Sequence, residues 1–199
     1  MPIATLNDVK VRYKCDLAKT TEDAVITQSL NAALEFVARY TGIPREPEAI
    51  AELHDGACDA LILGHGPIAD TPALIVRESL ATPRDWSDAS VVSASCYVVD
   101  QRSAVVQRID GLLFGGQRDR SMARACVRVE YTAGYAYEDA PDDLRDSVIV
   151  LTALGWKGND YVGISGLRGD SGQITRYDYD RLPRDVRDVL DRYRLRRAR

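Results

Sequence analysis

Histidine is nearly missing from this chain: His54 and His65 are the only two in 199 residues. No GxSxG, Walker A, HExxH or GxGxxG run occurs either. Nucleophilic catalysis, zincin chemistry and phosphate cradling each rest on one of those patterns, so none of them is supported. Cysteine is sparse as well. Cys15, Cys58, Cys96 and Cys126 lie far apart with no CxxC pair, which suits free thiols better than a disulfide or zinc framework. His54 and His65 flank Cys58, but the spacing fits no zinc pattern and no fourth ligand is evident, so a solvated loop is expected there. Long apolar runs are absent too. The longest aliphatic stretch, around Val148 to Leu154, cannot span a bilayer, and no charged-then-apolar leader opens the chain. The expectation is a soluble protein of the cytoplasm that is not an enzyme and needs no cofactor, metal or membrane.

What is present is ordinary globular composition, with 45% hydrophobic and 28% charged residues. The formal net charge of −4 argues against charge-driven nucleic-acid binding by the whole chain. The charge is unevenly placed. From Asp180 to Arg199 there are eight arginines and four aspartates, so this tail is +4 and the remainder −8. A basic tail on an acidic body points to docking on an acidic partner.

Along the chain the apolar period changes twice. Thr5 to Val9 reads as a capped short helix, with Leu6, Val9 and Tyr13 at helical spacing. A longer helix follows from Glu22 to Tyr40, with Ile26, Leu30, Leu34 and Val37 on one stripe and Gly42 then Pro44 as its stop. An Ala/Glu-rich stretch from Pro47 to Leu53 reads as one or two helical turns. β-type runs then alternate with turn residues: Leu61–Leu63, Ala73–Val76, Ser95–Val99, Ala104–Ile109 and Cys126–Tyr131. Asp110-Gly111 and Gly115-Gly116 punctuate them. In the last run Val127, Val129 and Tyr131 face one way and Arg128, Glu130 and Thr132 the other. Helix returns behind Pro141, with Leu144, Val148, Leu151 and Leu154 as its buried stripe. Residues 158–180 are polar, with Gly163, Gly166, Gly169 and Gly172 three apart, and read as a mobile loop. A final helix opens at Leu182-Pro183. The fold class implied is α+β: a helical bundle from the N- and C-terminal segments (residues 1–44 and 139–199) carrying an inserted antiparallel β-rich domain (residues 45–138).

The order of these pieces resembles the head–tail connector (adaptor) family of tailed phages. The resemblance lies in the Leu6-Asn7-Asp8-Val9-Lys10 helix and in the helix running from Thr21-Glu22-Asp23 to Ala38-Arg39-Tyr40-Thr41-Gly42. It continues through Val127 to Tyr135, with its Tyr-Thr-Ala-Gly-Tyr ending, into the helix start Ala140-Pro141-Asp142-Asp143-Leu144-Arg145. The Gly-rich loop and Leu182-Pro183-Arg184-Asp185-Val186 through Tyr193-Arg194 close it. Where many connectors carry a brief β-segment, residues 45–126 here make a substantial sheet. The resemblance implies a virion protein of the neck, assembled in the host cytoplasm into a homo-oligomeric ring of about twelve subunits. Its implied partners are the portal protein and a tail-side stopper or terminator protein, with DNA passing through the lumen without specific binding. No catalytic residue is implied. An acidic body suits such a lumen, because it does not grip phosphates. The alternatives weighed are another neck or tail-completion ring protein, a small enzyme and a DNA-binding regulator. Helical termini oppose the first, missing motifs the second and the acidic body the third.

The candidate docking residues for the portal are Arg184, Val186, Arg187, Val189, Leu190, Tyr193, Arg194, Arg196 and Arg197. Val186, Val189, Leu190 and Tyr193 form a narrow apolar stripe, and the arginines supply steering and charge-assisted hydrogen bonds. A helix this short is marginal alone, so the stripe is expected to order on a partner rather than finish the chain's own bundle.

Overall fold

The computed structural model describes residues 1–79, 86, 90–116, 124–158, 167–168, 174–175 and 182–195. The fold is α+β, and the chain divides into two compact units. One comprises Pro2–Thr41 and Asp139–Arg194; the other comprises Met1, Gly42–Glu138 and Leu195–Arg199.

The first unit is helical. Helix α1 (Leu6–Arg12) begins at Thr5, whose hydroxyl caps Asp8 while the Asp8 carboxylate reaches back to the Thr5 amide, a reciprocal capping box. Lys10 on α1 is buried, which a bare ammonium could not tolerate. It is neutralised by Asp23 at 2.5 Å and also donates to the Lys19 carbonyl at 2.8 Å. Helix α2 (Asp23–Thr41) buries Ile26, Leu30, Ala33, Leu34 and Val37. Helix α3 (Asp142–Gly158) packs along α2, and helix α4 (Arg184–Tyr193) lies against both.

The buried face of α3 differs from the expected stripe. Leu144 and Val148 are fully buried, but Leu154 is 42% exposed and Leu151 only half-buried. The face is completed by Ser147, Ile149, Thr152 and Ala153. Ser147 and Thr152 can sit there because their hydroxyls donate to the carbonyls of Asp143 and Val148, each at 2.8 Å. Substitution by aspartate should therefore separate two leucines. Leu34→Asp buries an unpaired charge and should cost about 3–5 kcal/mol. Leu151→Asp, at a half-exposed position, should cost well under half of that in the same urea titration.

The second unit is built from two antiparallel sheets. Strands β1 (Glu48–His54), β3 (Ile75–Glu78), β4 (Ser90–Val91) and β7 (Val127–Ala133) make a four-stranded sheet in the order β1-β7-β3-β4. Strands β2 (Ala60–Ile62), β5 (Tyr97–Asp100) and β6 (Val105–Arg108) make a three-stranded sheet in the order β2-β6-β5. Their inner faces share one core that includes Leu61, Tyr97 and Val106 from one sheet and Val76, Val127 and Val129 from the other. Phe114, fully buried, joins it. The alternation read in β7 holds: Val127, Val129, Tyr131 and Ala133 are buried and the residues between them half-exposed.

Strand β1 replaces the helical turns expected from Pro47 to Leu53. It pairs with β7 along its whole length, from Glu48 opposite Ala133 to His54 opposite Val127. Its more buried positions are Ile50, Glu52 and His54, whereas Ala49, Ala51 and Leu53 are exposed. The residues 158–180 read as a loop lie largely outside the described residues, but two short strands are described within them. Strands β8 (Leu167–Arg168) and β9 (Ile174–Thr175) pair with each other.

Candidate docking surface on the C-terminal helix

Helix α4 belongs to the helical unit rather than standing free of it. Val186 is 5% exposed and Leu190 fully buried, and Val189 and Tyr193 are half-buried. The apolar stripe expected to wait for a partner is therefore largely consumed by the chain's own bundle, because α2 and α3 offer it an apolar surface at no cost in association entropy. Polar contacts fasten the C-terminal end of the helix. The Tyr193 hydroxyl donates to Asp143 at 2.6 Å, and the Tyr40 hydroxyl donates to Asp191 at 2.7 Å. The hydrogen bond to Asp191 raises the Tyr40 phenol above its ordinary value, since ionisation would break it. Arg194 lies over the Tyr40 ring at 5.5 Å.

What α4 leaves outside is charged. Arg184, Arg187 and Arg194 are exposed, and Arg192 contacts Asp143 at 3.6 Å. Within α4 the three arginines at 184, 187 and 192 are balanced by Asp185, Asp188 and Asp191. The +4 of the tail thus resides wholly in Arg194, Arg196, Arg197 and Arg199. Arg196 and Arg197 lie outside the described residues. The chain re-enters the β-unit at Leu195, which is partly buried against that unit's core. It is seated so closely on Gly42 and Gly66 that a Cβ at either glycine would come within 3.4 Å of a Leu195 methyl. Gly42 also holds a φ of +84°, where only glycine is free of strain.

The two histidines converge, but not on Cys58. Cys58 Sγ donates to the Asp55 carbonyl at 3.5 Å, and burial together with nearby Asp59 pushes its thiol up, away from a thiolate ligand. His54 Nε2 and His65 Nδ1 instead lie 3.2 and 3.0 Å from the Glu52 carboxylate. The same carboxylate accepts from the Gly64 amide at 3.0 Å and from the Tyr131 hydroxyl at 2.7 Å. Burial alone would raise the Glu52 pKa, yet this ring of donors to its ionised form pulls it down to about 2. Tyr131 is raised, by its burial first and then by Glu52. Among the described residues no group of three or more His, Cys, Asp or Glu side chains is placed to hold a metal. The cluster ties the Gly64–Gly66 loop, and with it the seat of Leu195, to strands β1 and β7.

No family model matches the chain, and none of the curated proteins does. Solved structures do. A chain in the neck of an empty gene transfer agent (GTA) particle, computed with C6 symmetry, matches with a TM-score of 0.57 at 20% identity. The match covers 97% of this chain and 90% of that one. A chain of the native GTA virion gives 0.54 at 22% identity, and one from the native GTA neck computed with C12 symmetry gives 0.51 at 20%, with the same coverage. This chain shares their fold.

Sequence reasoning named the tail but not what holds it. Tyr40, Asp143 and Asp191, which fasten α4, are not among the docking residues read from the sequence. Among the described residues no helix is long and apolar enough to cross a membrane.

Proposed function

We propose that this chain is a structural neck protein of a phage-like particle, a head–tail connector that forms a ring of about twelve subunits beneath the portal. The supporting observation is the likeness to GTA neck and virion chains, which runs over 97% of this chain and 90% of theirs. A match across both units leaves little of either chain for a different architecture. Two of those necks were computed with C6 and C12 symmetry, the setting in which a ring subunit is found. The role is non-enzymatic: the polar cluster around Glu52 serves as an internal fastening, and the arginines of the tail serve as contacts. On this reading DNA passes the lumen without specific binding, a tail-side stopper or terminator protein docks on the opposite face, and the particle neck is where the protein resides.

Portal docking falls to Arg184, Arg187 and Arg194, which are exposed, together with Arg196 and Arg197 that follow them in the sequence, and Val186, Val189, Leu190 and Tyr193 shape helix α4. Negative-stain images of the purified protein, with and without portal rings, test the reading. Rings of connector diameter, alone or seated on the portal, are the expected result. Particles that stay monomeric in both conditions overturn it. Replacing Arg184, Arg187 and Arg194 together with glutamate should leave the melting temperature within about 2 °C, as exposed positions allow, and abolish co-sedimentation with portal.

A further inference from the structure

The outer face of the four-stranded sheet carries one cross-strand row made of Leu53, Arg128, Arg77 and Val91. The register fixes it, with Leu53 opposite Arg128, Arg128 opposite Arg77 and Arg77 opposite Val91. Val76 and Val129, the inward neighbours, are fully buried, so the row faces away from the core. Two arginines directly opposite one another in an antiparallel pair repel. Among the described residues a single carboxylate, Glu130 in the next row, serves both, at 3.6 Å from Arg77 and 3.0 Å from Arg128. Each guanidinium presents five donors, so most remain open to a further anion. Leu53 and Val91 flank the pair and are 57% and 58% exposed. An anion flanked by apolar groups complements this row. Nucleic-acid phosphates offer the charge but nothing for the two aliphatic flanks, so a protein segment fits better.

We infer that this row is a subunit–subunit contact, and that its occupant is the start of α3 in a second copy of the chain. The assignment rests on the ring reading above and on charge complementarity. The start of α3 concentrates four acids in eight residues: Asp139, Asp142, Asp143 and Asp146. Asp143 and Asp146 are engaged by Tyr193 and Arg12. Asp139 is exposed with no ion pair among the described residues, and the Asp142 side chain is 99% exposed, held only by a surface contact to Arg145 at 3.2 Å. Such a surface pair is readily exchanged for a better-placed guanidinium. Two different patches on one chain make a head-to-tail contact, which closes into a ring when the rotation allows.

A charge swap tests this. Variant one is Arg77→Glu with Arg128→Glu; variant two is Asp139→Arg with Asp142→Arg. Each is scored for rings by native mass spectrometry and negative stain, alone and with added portal rings. Each variant by itself should lose rings, because its altered patch meets a like-charged one on the next copy. An equal mixture should regain them, since alternating copies restore opposite charge at every contact. Variant two changes only exposed side chains, so its loss of rings is readable even if variant one folds poorly. Rings retained by either variant, or a mixture of the two that stays without rings although circular dichroism shows both folded, overturn this contact while the ring reading stands. A wild-type chain without rings in either condition overturns the ring reading itself.

Discussion

Leu190→Asp should destabilise the helical unit by about 3–5 kcal/mol, because it places an unpaired carboxylate at a fully buried position. For a chain of this length that corresponds to a fall of roughly 10 °C in melting temperature. The choice of Leu190 separates two pictures of the C-terminal helix. If α4 were a free arm that ordered only on a partner, aspartate at its apolar stripe would weaken docking and leave the isolated protein untouched. The packing of Val186 and Leu190 within the helical unit leads to the opposite outcome: loss of stability in the isolated chain, read by circular dichroism during heating. Truncation before Leu182 should likewise lower stability, because it strips α2 and α3 of the cover α4 provides. An unchanged melting curve for Leu190→Asp would return α4 to the status of a free arm. Arg184→Glu and Arg187→Glu, at exposed positions on the same helix, should stay within ~0.5 kcal/mol of the wild type, so a docking defect in them is not a folding defect.

The elements legible in the sequence are those where hydropathy and burial coincide. In α2 the stripe Ile26, Leu30, Leu34 and Val37 is buried as read, and in β7 the alternation from Val127 to Tyr131 gives the correct faces. Legibility fails where polar groups are buried with partners. On α3 the hydroxyls of Ser147 and Thr152 return to the helix's own carbonyls, so polar residues take inner positions while Leu154 is left outside. On β1 the inward positions hold a carboxylate and an imidazole, and alanines face out. A strand whose polarity runs against its burial gives no period-two signal, and its Ala/Glu composition imitates a helix. The tail is a third case. Its charge and its apolar stripe were both visible, but whether the stripe meets the chain's own helices or another protein depends on tertiary contacts that periodicity does not encode. The Arg77–Arg128 row is further still from view, since the two residues lie fifty-one positions apart and meet only through strand register.

Glu52→Gln should be a costly change in the β-unit, and its effect should depend on pH. The Glu52 carboxylate accepts from Gly64, His54, His65 and Tyr131, and the Tyr131 hydroxyl is buried with it. An amide has one acceptor oxygen and turns two N–H groups toward donors, so at least one buried donor is orphaned, at about 2–4 kcal/mol in total. The pH dependence follows from linkage. Glu52 titrates at about 2 in the folded chain against an ordinary value of 4.5, so the folded state holds the ionised form more tightly than the unfolded chain does. Its contribution is therefore complete above pH 4.5, declines as pH falls below that, and is gone once pH passes below about 2. Urea titrations at pH 7, 4 and 2.5 should show the wild-type advantage over Glu52→Gln shrinking through that window. Parallel pH profiles for the two proteins would mean that the carboxylate is not held in its ionised form as described. The cluster also bears on assembly. It holds the Gly64–Gly66 loop, on which Leu195 is seated, and Leu195 directly follows Arg194 in the sequence. Glu52→Gln should therefore weaken portal docking beyond its effect on stability, because the seat of the residue next to Arg194 is loosened. Comparing Glu52→Gln with an equally destabilising change in the β-core, such as Val106→Ala, isolates that second effect.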